Sequence, residues 1–321
     1  MRGRLALSLA VLLAGPAVAQ KKPPAPPPPA DTVQLRFGWP VGLTARVNAH
    51  KFRARSADGK ADTTNVRLSY RLIVEPHRQG RLVRFHGFEV PGVPVLEEVE
   101  DRVSALMPSV IVDTTGAFVA IEGVEAMRRE LETFLGTSAD KAGNLRPETR
   151  ALLERIRSPE MLTTLAEYEW NALVGTWIDA AFVVGLSYET EYELPFPLFP
   201  GLMVPVVQEF AAVARVPCTQ QDSQRRCVEL ESFLYYDQDA MRAVLDRLMA
   251  QMTLPDTVQQ PVIEDYELET EMRLIAEPGT LIPYRLVVTK QITMSLRLGK
   301  GPATETTQVE TKTTSYEYIA R

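Results

Sequence analysis

Few residues in this chain could do chemistry, and their spacing decides what they can do. Cys218 and Cys227 are its two cysteines, with TQQDSQRR between them. Thiol redox chemistry wants a closer CxxC pair, and a zinc site wants further His or Cys ligands. Neither accompanies them. An even, minimal count suits a structural disulfide in an exported chain. The flanking segments, Val206 to Val216 and Cys227 to Tyr235, read as strands. The bridge would close the base of a hairpin loop, where cross-strand neighbours come within disulfide reach.

The three histidines, His50, His77 and His86, have no HxH or HExxH partner. Gly185-Leu186-Ser187-Tyr188-Glu189 opens like a nucleophile elbow, but the final glycine is missing and a strand follows where a helix is needed. Asp113-Thr114-Thr115-Gly116 differs from the aspartic-protease triplet by an inserted threonine. It reads as a hairpin turn in which Gly116 supplies the positive-φ position. The acidic runs Glu97-Glu98-Glu100-Asp101 and Glu264-Asp265-Glu267 lack the alternating oxygens and turn glycine of a calcium loop. They read as solvated faces. The sequence therefore assigns no catalytic residue, no metal ligand and no cofactor, and the expectation is a protein that is not an enzyme.

What remains is apolar. Pro195-Phe196-Pro197-Leu198-Phe199-Pro200-Gly201-Leu202-Met203 is an apolar loop, whereas loops ordinarily face water. With Trp170, Trp177, Phe182 and Tyr188 it could line the mouth of an apolar cavity or form an exposed patch for a partner. Packing over an open sheet end is the plainer alternative. The candidate contacts for an apolar ligand or partner are Trp170, Trp177, Phe196 and Phe199.

These residues have to be positioned by strands and helices that the hydrophobic periods reveal. Val66, Leu68, Tyr70, Leu72 and Val74 alternate with polar residues, and Leu82 to Val90 follows a turn over Pro76 to Gly80. Leu268, Thr270, Met272 and Leu274 alternate with Glu267, Glu269, Glu271 and Arg273. A turn at Glu277-Pro278-Gly279 then leads to strands over Tyr284 to Leu298 and Val309 to Ile319. Alternation of this kind marks an antiparallel sheet with one wet face. Val124, Met127, Leu131, Phe134 and Leu135 share a helical face. Thr149 to Ile156 and Glu160 to Trp177 read as helices, with Ser158 as N-cap and Pro159 at the first helical position. Met241, Val244, Leu245, Leu248 and Met249 mark another, capped by Asp237 or Asp239. The sequence thus predicts an α+β fold: a large curved antiparallel β-sheet of about twelve strands, wrapping a few helices.

The ends and the charge set the compartment. Residues 1–19 read as a cleavable signal peptide: Arg2 and Arg4, an apolar run from Leu5 to Gly15, then Ala17-Val18-Ala19. Residues 20–32 read as a proline-rich linker, with six prolines between Lys21 and Asp31. Residues 33–321 read as a single α+β domain, with pseudo-halves 33–177 and 178–321 suggested by the strand counts. Removing Arg2 and Arg4 from the 35 basic residues leaves 33 against 41 acidic ones, a net charge of −8. That argues against a nucleic-acid partner, which requires a basic stripe. No later stretch is long and apolar enough to span a bilayer. The expected address is exported, with the periplasm preferred to the extracellular space.

The opening LRFGWPVG, the turn VDTTGAFVAIEG, and VGLSYETEYELPFPLFPG leading to the Cys-bounded hairpin resemble a broad set of exported bacterial β-rich proteins. The element order is also similar to the lipoprotein-carrier-like fold, in which a curved sheet half-encloses helices around an apolar cavity. The resemblance covers most of the mature chain and brings no catalytic residue with it. It implies binding of a lipid-like small molecule or an association with the envelope. The leading expectation is a non-enzymatic periplasmic protein that holds an apolar ligand in a curved sheet. The alternative is a structural or assembly module that binds an envelope protein.

Overall fold

Period-two alternation turns most of this chain into strands. The computed structural model describes residues 31–57, 59–91, 107–142, 154, 157–195, 203–221, 224, 226–251, 261–298 and 301–319. The signal-peptide reading, nearly all of the proline-rich linker, the acidic run at 97–101, and all but one residue of the helix expected over Thr149 to Ile156 lie outside them.

Six strands come first: β1 (Thr32–Gln34), β2 (Thr44–Ala57), β3 (Lys60–His77), β4 (Gly80–Glu89), β5 (Ser109–Val112) and β6 (Phe118–Glu122). Helices α1 (Val124–Ala142) and α2 (Pro159–Leu173) follow, then a 3₁₀ turn at Gly175–Trp177. Next come β7 (Ala181–Val183), β8 (Ser187–Pro195), β9 (Met203–Val216) and β10 (Cys227–Tyr236). Helix α3 (Gln238–Gln251) precedes the last three strands, β11 (Pro261–Ala276), β12 (Pro283–Leu298) and β13 (Ala303–Tyr318).

Eleven strands form one antiparallel sheet in the order β6-β5-β4-β3-β2-β13-β12-β11-β10-β9-β8, and β1 pairs with β7 in a small sheet of two. Most neighbours in the large sheet are neighbours in sequence. The exception is β2 with β13, which joins the first long strand to the last in register from Ala57↔Thr306 to Ala45↔Tyr318. The sheet stays open, with β6 and β8 as its edges. Its inner face is built from cross-strand rows such as Leu230, Leu274, Leu286, Thr314 and Ala49.

Caps start the helices where the sequence places them. The Ser158 Oγ accepts a hydrogen bond from the Met161 N–H at 3.1 Å, with Pro159 opening α2. Asp237, rather than Asp239, caps α3, accepting from the Ala240 N–H at 2.7 Å. Helix α2 stops at Leu173 rather than continuing to Trp177, and the chain tightens into the 3₁₀ turn at Gly175. There the Asn171 side chain lies over the Gly175 Cα, so that a Cβ would meet its Oδ1 at 2.1 Å.

The main core lies between α2 and the inner face. Leu35, Trp39, Val47, Leu72, Val74, Leu230, Leu274 and Trp177 are buried in it. Residues 35–39 are stitched across one end of the sheet: Leu35 N–H donates to Ala180, Arg36 to Pro278 and Gly38 to Thr280. One expectation changes here. The strands outrun the helices: β3 has 18 residues and α2 has 15, which at about 3.4 and 1.5 Å per residue makes the strand more than twice as long. Residues Lys60–Arg67 are consequently exposed on both faces, so the sheet has one wet face near α2 and two beyond it.

Candidate functional site

Helix α2 buries Met161, Leu162, Ala166, Trp170 and Leu173 against the sheet, the spacing of an amphipathic helix. A cavity flanks it on each side. The first, of about 240 Å³, is bounded by Tyr168, Glu169 and Ala172 of α2 and by side chains from all six strands β8–β13. Six consecutive strands can face one cavity because the sheet curves around the helix. Leu194, Leu234, Met272, Leu286 and Val288 make its apolar surface, and Tyr192, Gln208, Ser232, Lys290 and Lys312 its polar one. The second, of about 320 Å³, is lined by Leu162, Leu165, Ala166, Trp170 and Leu173 of α2, by Met127 of α1, and by Tyr70, Phe85, Val110 and Tyr316 of the sheet. Glu169, Leu286 and Lys312 line both cavities. The Lys312–Glu169 ion pair, at 3.0 Å, therefore stands at the wall between them.

The polar part of the first cavity is ordered. The Tyr192 hydroxyl donates to Gln208 Oε1, and Gln208 Nε2 donates to the buried Ser232 Oγ at 2.7 Å. Burial pushes the Tyr168 and Tyr192 phenols above their ordinary range, with Glu169 adding to the effect on Tyr168. They stay neutral and keep their protons available for hydrogen bonding. Glu310 is held by Lys51 at 2.8 Å. The Lys290 ammonium lies 5.2 Å above the Tyr168 ring, a cation–π contact. It has no carboxylate partner among the described residues.

The described residues among those singled out in the sequence are not gathered in one place. Trp170 is 3% exposed and forms part of the wall of the second cavity. Its indole donates to the Gly116 carbonyl at 2.9 Å, and its ring packs edge-on against Trp39 and Phe37. Trp177 is fully buried, packs against Phe182 and Phe210, and borders neither cavity. Phe196 and Phe199 lie outside the described residues. The Tyr188 ring packs edge-on against Phe182, and its hydroxyl accepts from the Val183 N–H at 3.1 Å. Cys218 and Cys227 form a disulfide with a Cα–Cα distance of 5.0 Å, beside the Cys227↔Val216 pair that closes the β9–β10 hairpin.

Sequence reasoning missed Lys290 and Lys312, although a signal was present. Lys290 keeps the same phase as Leu286, Val288, Ile292 and Met294, so a cation occupies the apolar face of its strand.

Elsewhere, Asp113 is a turn residue: its Oδ1 accepts from the Thr115 N–H, the Thr115 hydroxyl and the Ala117 N–H. Desolvation alone would raise its carboxyl, but the hydrogen bonds from Thr115, Ala117 and Gly116 outweigh it and hold the group below the usual range. His50 bonds Asn65 and His77 accepts from the Gln79 N–H, each as a local surface contact. Ser187 begins a strand, not a helix. Among the described residues no three His, Cys, Asp or Glu side chains gather as a metal site, and no helix is long and apolar enough to cross a membrane.

No protein-family model matches the sequence, and no curated protein does. Solved structures that are similar in part include two of β-rich or envelope proteins. One, described as lipid–protein interactions in lipovitellin, has 8% identity and a TM-score of 0.38 over 87% of this chain and 25% of that one. This chain therefore spans about a quarter of the lipovitellin chain. The other, an outer membrane channel from Pseudomonas putida F1, has 8% identity and a TM-score of 0.17, covering 88% and 98% of the two chains. At these TM-scores neither likeness carries functional weight.

Proposed function

We propose that this protein is a non-enzymatic, exported binding protein of the periplasm that holds an apolar, lipid-like molecule against the inner face of its sheet. The observation that carries this reading is the pair of cavities flanking α2. Apolar side chains make most of their walls, a few polar groups converge at one side, and their volumes fall near the lower end of the roughly 300–1,000 Å³ typical of ligand sites. A helix set for packing alone would be expected to fill such space, because interiors are close-packed. The disulfide supports an oxidising compartment.

An assembly role through the open edge is less well supported. Edge strand β8 places Glu189, Glu191 and Glu193 at alternate positions, and charges on an edge oppose strand addition.

Native mass spectrometry of the purified protein, followed by organic extraction, tests the reading. A stoichiometric apolar molecule is expected in the protein as isolated. Ala172→Trp, which drives an indole into the first cavity, should lower uptake of a neutral fluorescent alkyl probe severalfold while the fold is kept. An empty protein whose probe uptake is the same in the variant would overturn the assignment.

A further inference from the structure

The two cavities explain where a chain could lie but not why lysines face them. Lysines seldom sit among apolar side chains without a partner, and Lys290 and Lys312 are both half-buried there. Lys290 sits on the apolar phase of β12, opposite Thr270 on one side and Glu310 on the other. Lys312 lies on the same face, opposite Val288 and diagonal to Lys290. Among the described residues the neighbouring carboxylates are committed: Glu169 to Lys312 and Glu310 to Lys51. The lining carries Lys290 and Lys312 against Glu169 and Glu310. Because Lys51 engages Glu310 from outside the lining, Lys290 has no ion-pair partner among the described residues, and the Tyr168 ring lies beneath it.

Resting on the apolar-ligand reading, we propose that the ligand is an anionic single-chain amphiphile whose head group is received by Lys290 and Lys312. Its alkyl chain lies along Leu286, Val288 and Met272 in the first cavity. Lys290 gains the anionic partner it lacks among the described residues. Lys312 can share or exchange Glu169, because both side chains of that pair are partly open to water. The Tyr168 hydroxyl lies on the same wall as a neutral donor. A single chain fits the geometry better than a two-chain lipid, because the Lys312–Glu169 pair divides the space into two modest volumes. Charge-assisted hydrogen bonds to a carboxylate are about twice as strong as neutral ones, so head-group charge should dominate the choice among ligands of one chain length.

The test is displacement of a bound fluorescent alkyl probe from the purified protein by hexadecanoate, hexadecanol and hexadecyltrimethylammonium, each below its aggregation limit. Hexadecanoate is expected to compete about tenfold or more better than hexadecanol, and the cationic chain worst. Lys290→Gln with Lys312→Gln should erase the preference for hexadecanoate and leave hexadecanol unchanged, which also shows that the variant is folded. Lys290→Arg should keep it. Equal competition by hexadecanoate and hexadecanol, or a preference that survives the double substitution, overturns the head-group assignment alone. Failure of every chain to compete overturns it together with the apolar-ligand reading.

Discussion

Gly116 is fixed from two sides at once. Its φ of +89° lies in the left-handed region that side chains avoid, and an added Cβ would fall 2.3 Å from Cγ of the Phe37 ring. Its carbonyl also receives the Trp170 indole N–H. Backbone, ring and hydrogen bond thus tie the β5–β6 turn to the N-terminal segment and to α2. Phe37 cannot retreat easily, because it is packed against Trp39 and Trp170, and the Arg81 guanidinium lies over its ring. Gly116→Ala should therefore cost about 2–4 kcal/mol, combining backbone strain with overpacking. The urea midpoint of the variant measures it, and a midpoint equal to that of the parent would show that the turn and ring can move apart freely. The same cluster holds Trp170, one of the two tryptophans that the sequence offers for ligand contact, and Trp177 packs separately against Phe182 and Phe210. Large indoles in a protein with no catalytic motif suggest binding, yet here they mainly join distant parts of the chain.

Helix α2 is the element on which the site depends, since it supplies a wall to both cavities. Its start rests on the Ser158 side chain, which satisfies an otherwise free N–H of the first turn. Ser158→Ala should cost about 1 kcal/mol, read as a lower urea midpoint with an unchanged transition slope; no shift would mean that water replaces the cap fully. This element was legible in advance, since Ser158-Pro159-Glu160 carries both the cap and the fixed φ of a helix start. The strands were legible for a similar local reason: Leu268 to Leu274 alternates with Glu267 to Arg273, and alternation assigns each residue to a face. Local patterns do not choose partners. Nothing in Thr44–Ala57 shows that it pairs with the chain's last strand, and that pairing is what puts Lys51 beside Glu310. The site was hidden by the same limit. Its walls come from six strands and one helix, and only the phase of Lys290 betrays it locally.

At the scale of the whole molecule, charge and phenols are sorted by face. Glu189, Glu209, Glu269 and Glu271 lie on the outer phase of β8, β9 and β11, whereas the lining of the first cavity sets Lys290 and Lys312 against Glu169 and Glu310. The inner face buries tyrosines instead. Burial raises the phenols of Tyr70, Tyr236, Tyr316 and Tyr318 well above the usual range, with neighbouring phenols or carboxylates reinforcing the effect. The sign of the consequence is fixed. A group whose value is higher in the folded than in the unfolded chain contributes its full stability below the unfolded value, about 10 for a phenol. That contribution is lost as pH rises from there through the folded value, because only the unfolded chain releases its protons. The melting temperature should accordingly fall steeply above roughly pH 10. Tyr316→Phe isolates the cause, since its hydroxyl makes no hydrogen bond among the described residues and the substitution keeps the ring in the core. The variant should lose less stability than the parent over the same alkaline range, read as a shallower fall of melting temperature with pH. If the two curves run parallel, the alkaline loss comes from other groups, and the buried Tyr316 phenol is not its source.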